Sequence, residues 1–185
     1  MLPPEIKYPK HNSSARKPKS KTPEQALATL MRLCARAEKC ESDAHRLMHG
    51  WGLSPTDAKQ VLAQLVHDRF IDDSRYAEAF VREKLRLSGW GEYKIRAALQ
   101  RKGIARELID AALSEIECRD MATRLTEQLR RKARTTRSNS SYELRTKLIR
   151  YGIALGYNYE TVLENVSQII ASSDLATTTE EEFFG

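Results

Sequence analysis

The chain has 185 residues, 41% of them hydrophobic and 30% charged, a balance that suits a folded protein rather than a disordered or membrane-embedded one. A formal charge of +6 and a pI near 9.3 draw it to polyanions or to an acidic protein surface. No apolar run approaches the roughly 18 residues of a membrane span and no apolar segment follows the basic start as a secretory signal would, so a cytoplasmic protein with no membrane contact is expected.

From the N-terminus, residues 1–22 carry Lys7, Lys10, Arg16, Lys17, Lys19 and Lys21 against the single acid Glu5, among prolines and serines that cannot form a core. A disordered basic tail is predicted there. Thr22-Pro23-Glu24 then places an N-cap threonine before a proline at the first helical position, and Ser54-Pro55 repeats the signal. All six prolines fall at or before Pro55, and the β-branched clusters that mark strands are nearly absent, so the rest reads as helix after helix.

Three stretches resemble one another at a spacing of about fifty residues. One reads Ile95-Arg96, Leu99, Gly103-Ile104; a second reads Leu144-Arg145, Leu148, Gly152-Ile153; a third, more diverged, reads Ala44-His45, Met48, Gly52-Leu53. Gly103 and Gly152 are placed as glycines closing a helix. Each stretch is preceded by an apolar-periodic helix (Leu27, Leu30, Leu33; Tyr76, Ala77, Phe80, Leu85; Met121, Leu125, Leu129) and followed by another (Val61, Leu62, Leu65; Leu108, Ile109, Ala112, Leu113; Val162, Val166, Ile169, Ile170). The prediction is an all-α fold, a tandem array of three three-helix repeats over residues 23–70, 71–117 and 118–171, elongated or curved because each small unit needs its neighbour. Asp72 or Asp73 suits the cap that opens the second unit. Residues 172–185, ending in Glu180, Glu181, Glu182, Phe183 and Phe184, read as a flexible acidic tail.

The chemistry-bearing residues point away from catalysis. Cys34, Cys40 and Cys118 form no C-x-x-C pair, and although His45 and His49 lie one helical turn apart near Cys40, no ligand set completes a metal site. There is no phosphate-binding glycine loop, no G-x-S-x-G elbow and no H-E-x-x-H helix. No enzyme activity, metal or cofactor is expected.

The run Phe70-Ile71-Asp72-Asp73-Ser74-Arg75-Tyr76-Ala77, through Phe80 and Val81-Arg82-Glu83-Lys84-Leu85-Arg86 to Gly89-Trp90-Gly91, Ile95-Arg96, Leu99 and Lys102-Gly103-Ile104, resembles the signature of the RecX regulatory proteins. The likeness covers residues 26–170, strongest in the middle, and departs in the first unit, where Gly50-Trp51-Gly52-Leu53 replaces the usual apolar turn. It implies tandem three-helix repeats and a regulator that binds the RecA recombinase and its DNA filament. Restraint of strand exchange, ATP hydrolysis and coprotease activity in DNA repair and the SOS response is implied too, with some affinity for single- or double-stranded DNA and no cofactor. A monomer is expected.

Within that motif Asp72, Asp73, Tyr76, Phe80, Trp90, Gly91, Ile95, Leu99, Gly103 and Ile104 are read as architectural, since apolar stripes at helical spacing usually face a core. Contact with the filament or with DNA is assigned to cations: Arg75, Arg82, Lys84, Arg86, Lys94, Arg96, Arg101 and Lys102 in the second unit, and Arg124, Arg130, Arg131, Lys132, Arg134, Arg137, Arg145, Lys147 and Arg150 in the third. Guanidinium forks suit phosphates and acidic protein grooves alike, and such a run can also be a plain solvated helix face. Trp90 and Tyr93 beside Lys94 could stack on a base, or Trp90 could wedge between repeats. The alternative function is a stand-alone DNA-binding protein with helix-turn-helix-like repeats.

Overall fold

The computed structural model describes residues 20–115 and 118–181, with side chains over 20–115 and 121–172. Most of residues 1–22, read as the basic tail, and the acidic end from Glu182 lie outside that range, as does the side chain of Cys118. Among the described residues the elements are all helical: α1 (Pro23–Cys34), α2 (Glu41–Gly50), α3 (Pro55–His67), α4 (Asp73–Glu83), α5 (Glu92–Arg101), α6 (Arg106–Ser114), α7 (Cys118–Thr135), α8 (Ser141–Ala154) and α9 (Tyr159–Glu181). A single π-helical turn, Lys84–Ser88, extends α4.

The helix starts follow local chemistry. Thr22 and Ser54 accept from the backbone of Gln25 and Asp57, and Asp72 accepts from Ser74 N and Arg75 N. Each capped helix then turns its apolar stripe inward, and the nine pack as three three-helix units. The first core gathers Leu30, Ala44, Met48, Val61 and Leu65; the second Ala77, Val81, Ile95, Leu99 and Ile109; the third Leu125, Leu129, Leu148, Val162 and Val166. Burying each large side chain contributes about 1.5–3 kcal/mol.

The units interlock by single residues across their boundaries. Ile71, just before α4, is buried in the first core, while Cys40, just before α2, is buried in the second. Met121 packs against both the second and the third cores. Pulling two units apart therefore exposes apolar surface on both sides.

The repeat is real, but its third copy sits one helical turn later than the sequence pattern suggests. Gly52, Gly103 and Gly156 hold left-handed φ values of 78°, 76° and 91°, so the glycine that closes the third copy is Gly156. Gly152 does not end a helix; it lies inside α8, which has 14 residues where α2 and α5 have 10 each. It stands where Met48 and Leu99 stand in the other copies, four residues before the turn. A helix repeats its face about every four residues, so a spacing of fours reads alike in either register. Its missing side chain is filled by α9: a Cβ at Gly152 would lie 2.7 Å from Val162 Cγ1.

The two ends also differ from the sequence reading. Lys21, assigned to the N-terminal tail, is tied down: its N–H donates to Trp51 O at 3.2 Å, and its ammonium lies 4.6 Å from the centre of the Trp51 ring and donates to Thr29. Helix α9 runs through the stretch 172–181 read as flexible, which contains neither proline nor glycine to stop it.

Gly152→Ala should destabilise the protein by about 1–3 kcal/mol through overpacking against Val162. Gly50→Ala, at a helix position with open space around it, should be neutral or stabilising by up to about 1 kcal/mol. Urea unfolding of the two variants followed by circular dichroism checks the contrast, and equal midpoints would contradict it.

Candidate functional site: two inter-unit junctions and an arginine face

Helices α2 and α5 begin without a capping side chain of their own, at Cys40 and Gly91. In both, the following unit supplies the acceptor. The Asp73 carboxylate, at the start of α4, accepts from Glu41 N at 3.0 Å. At α5, Gly91 N donates to Leu155 O at 2.8 Å and Tyr93 N to Gly156 O at 3.0 Å, so the open carbonyls ending α8 meet the open amides beginning α5.

The first junction is ionic. Asp43, whose side chain is 12% exposed, receives Lys102 Nζ at 2.7 and 2.8 Å, Arg46 Nη2 at 3.0 Å and the Cys40 thiol. Burial pushes its pKa up, but the hydrogen bonds from Lys102, Arg46 and Cys40 outweigh it and hold the carboxyl below its ordinary value. Arg75 adds a second tie: its Nε meets Glu38 at 2.7 Å, and its Nη2 donates to the carbonyls of Arg69 and Phe70. Arg69 itself has φ 57°, so Arg75 steadies a left-handed turn made without glycine.

The second junction is a backbone seam. A Cβ at Gly156 would come within 2.6 Å of Lys94 N, and one at Gly91 would collide with the Gly156 peptide, so only two glycines permit this approach. Lys94 crosses the seam to donate to Ala154 O at 3.0 Å while lying 4.8 Å from the Trp90 ring centre. Lys84 lies on the same ring at 5.6 Å and on Phe80 at 5.2 Å. Beside the seam Tyr157 is buried with its hydroxyl unpaired among the described residues, and burial pushes its pKa up to about 12 against the pull of Arg124.

The third region is a face rather than a contact. On α7, Leu125 and Leu129 point into the core, which turns Arg130, Arg131 and Arg134 outward by helical periodicity, and all three are exposed. None of them has an ion-pair partner among the described residues. Arg137, Arg145 and Arg150, on the following loop and α8, are likewise exposed and unpaired.

The comparisons with known proteins fit this arrangement. A family profile described as the second three-helix domain of RecX matches residues 72–113. A protein named regulatory protein RecX from Clostridium botulinum (strain Eklund 17B / Type B) is 32% identical over 104 residues, 55% of this chain and 48% of that one. One of the same name from Mycobacterium sp. (strain KMS) is 28% identical over 152 residues, 80% of this chain and 83% of that one. The RecX crystal structure from Lactobacillus salivarius superposes with a TM-score of 0.70 at 15% identity, over 80% of this chain and 96% of that chain. A second structure, of regulatory protein RecX, gives 0.72 at 21% identity, over 79% of this chain and 73% of that one; at these identities the two structures speak to the fold. The chain belongs to the RecX family. The match spans about half the length of the clostridial relatives.

In this RecX-family chain the motif residues sit on the second core or at a junction. Tyr76, Ile95, Leu99 and Ile104 are buried there, with Phe80 stacked on Tyr76 at 6.0 Å and meeting Trp90 edge-on at 6.5 Å. Asp72 caps α4, Asp73 caps α2, Gly91 lies in the seam and Gly103 makes the turn. Trp90 is half-buried under its two lysines, and Tyr93, 61% exposed, has an open ring.

The candidate cations divide in two. Arg75, Lys94 and Lys102 bridge units; Lys84, Arg96, Arg124 and Lys147 are engaged inside their own, with Glu83, with Glu92 and Asp110, with Glu127 and with Glu143. Arg82, Arg86, Arg101, Arg130, Arg131, Arg134, Arg137, Arg145 and Arg150 carry no ion pair among the described residues, and Lys132 lies over Tyr151 at 5.5 Å. Sequence reasoning missed Arg46, Asp43 and Glu38, which complete the ionic junction from the diverged first unit. A carboxylate in the first turn of α2, with Arg46 three residues on, is the available signal. Among the described residues no group of His, Cys, Asp and Glu could hold a metal, and no helix is long and apolar enough to cross a membrane.

Asp43→Asn should destabilise the protein by about 2–3 kcal/mol, because Lys102 and Arg46 lose their shared counter-charge. Since the folded-state pKa of Asp43 lies below its unfolded value, its contribution is full above about pH 4 and disappears as the pH falls through the folded value. Urea midpoints taken from neutral pH down into acid should therefore fall further for the wild type than for Asp43→Asn; parallel profiles would remove Asp43 from this role.

Proposed function

We propose that this protein binds the RecA recombinase and its nucleoprotein filament and restrains strand exchange, ATP hydrolysis and coprotease activity, as part of homologous recombination, DNA repair and the SOS response. Family membership supports the partner. The observation that supports the mode of contact is the face of α7, where Arg130, Arg131 and Arg134 stand exposed with no acid to neutralise them. Arg137, Arg145 and Arg150 extend it, and Lys132 sits at its margin. Arg82, Arg86 and Arg101 are the corresponding free cations of the second unit.

Three units joined in series give such a regulator reach across more than one filament subunit. Reach alone changes nothing, because a ligand shifts an equilibrium only by its differential affinity for the two states. The interlocked junctions supply this: a linked set of surfaces fits the subunit spacing of one filament state better than another. The candidate cations that hold the junctions act here as positioning residues for the free ones.

Substoichiometric protein should slow RecA ATP hydrolysis and strand exchange on single-stranded DNA, and unchanged rates would defeat the reading. Charge reversal at Arg130, Arg131 and Arg134 should weaken cosedimentation with filaments by about tenfold or more, with the fold intact by circular dichroism. The reading as a stand-alone DNA-binding protein makes a separate claim: binding to naked DNA that collapses with rising salt and no effect that depends on RecA.

A further inference from the structure

Beside the ionic junction lies an open cleft that shares only Arg101 with the proposed filament contact. It measures about 470 Å³ and is lined by Ser42, Asp43 and Arg46 of α2 and by Phe80, Ala98, Arg101 and Lys102 of the second unit. Asp43 is the one carboxylate in this lining, facing three cations, so the wall carries an excess of two positive charges. Lys102 and Arg46 already satisfy Asp43. Arg101 is exposed and unpaired, and the Arg46 side chain is 75% exposed with only its Nη2 engaged, so both guanidinium groups have donors free.

Two guanidinium forks are matched by a carboxylate, which accepts paired hydrogen bonds from each. Phe80 and Ala98 give the same cleft an apolar surface. An acidic residue beside a large apolar one satisfies both parts, and the rival occupant, a phosphate whose base lies on Phe80, is told apart by the oligonucleotide arm of the test. We propose that the cleft binds an acidic segment of a protein partner, its carboxylate taken by Arg46 and Arg101 and its neighbouring apolar side chain lying on Phe80 and Ala98. Arg46 belongs to the first unit and Arg101 to the second, so the bound segment spans the junction and fixes the angle between the two units.

Residues 180–185 of this chain, Glu-Glu-Glu-Phe-Phe-Gly, have the required chemistry and supply a defined probe. Fluorescence anisotropy of the labelled hexapeptide with the full-length protein should show saturable binding. Arg46→Gln with Arg101→Gln should weaken it about tenfold, Arg101→Gln alone by a few-fold, and Arg130→Gln with Arg134→Gln hardly at all. Because Arg101 is exposed and unpaired, its single variant keeps the test valid if the double variant misfolds. Binding to a Glu180→Gln, Glu181→Gln, Glu182→Gln protein but not to the wild type overturns the partner as occupant in favour of the chain's own end. The proposal is overturned if neither protein binds the peptide, if both pairs of substitutions weaken it equally, or if a single-stranded oligonucleotide requires Arg46 and Arg101 while the peptide does not bind. The effect upon RecA is measured separately with the charge reversal at Arg130, Arg131 and Arg134, which lie outside the cleft, so failure of one reading is told from failure of the other.

Discussion

The middle helix of a unit must have its first amides satisfied, and in two of the three units that helix starts at a residue unable to do it. Cys40 offers a weakly polar thiol and Gly91 offers no side chain. An amide left without a partner forgoes the roughly 1 kcal/mol of a hydrogen bond, and more where it is buried as at Gly91, so a neighbour in place stabilises the starts of α2 and α5. Asp73 serves α2, and the Leu155 and Gly156 carbonyls serve α5. The third middle helix breaks this pattern. Ser140 accepts from Glu143 N, and Glu143 accepts in return from Asn139 N, so α8 caps itself and its start requires no further unit.

This dependence explains why the units are coupled rather than strung together, and the two couplings differ in kind. At the second junction the contact is between peptide groups brought close by Gly91 and Gly156, geometry that neither salt nor moderate pH alters. The first junction relies on Asp43 with Lys102 and Arg46, and on Glu38 with Arg75, partly exposed charges whose attraction weakens with screening and in acid. The first unit is thus the one whose attachment responds to solution conditions and to bound charge, while the attachment of the second to the third does not depend on paired charges.

The sequence revealed the architecture because a three-helix period leaves marks that do not depend on tertiary context: caps at Thr22 and Ser54, apolar stripes, and glycine turns at Gly52 and Gly103. It misplaced the third turn because Gly152 and Gly156 are one helical turn apart, and only the folded chain tells them apart, by the left-handed φ at Gly156 and by Val162 filling the space at Gly152. Charge was harder to read. Arg75 and Lys102 look like Arg130 and Arg134 in a sequence, yet the first two are engaged by acids 37 and 59 residues distant. No local pattern announces a partner that far away.

The division of the cations is consequently a product of the fold, and it runs along the array. The middle unit, which carries the family motif, commits Arg75, Lys94, Arg96 and Lys102 to holding itself and its neighbours, and Asp72, Asp73, Trp90 and Gly91 lie beside the same contacts. The last unit leaves Arg130, Arg131 and Arg134 exposed, since the acids on α7 and α8 are few and Glu127 and Glu143 are already engaged by Arg124 and Lys147. A strongly patterned middle and a weakly patterned, strongly charged third unit have separate physical causes: the former must satisfy contacts on both sides, while the latter caps α8 with its own Ser140 and Glu143 and leaves the outer face of α7 uncommitted.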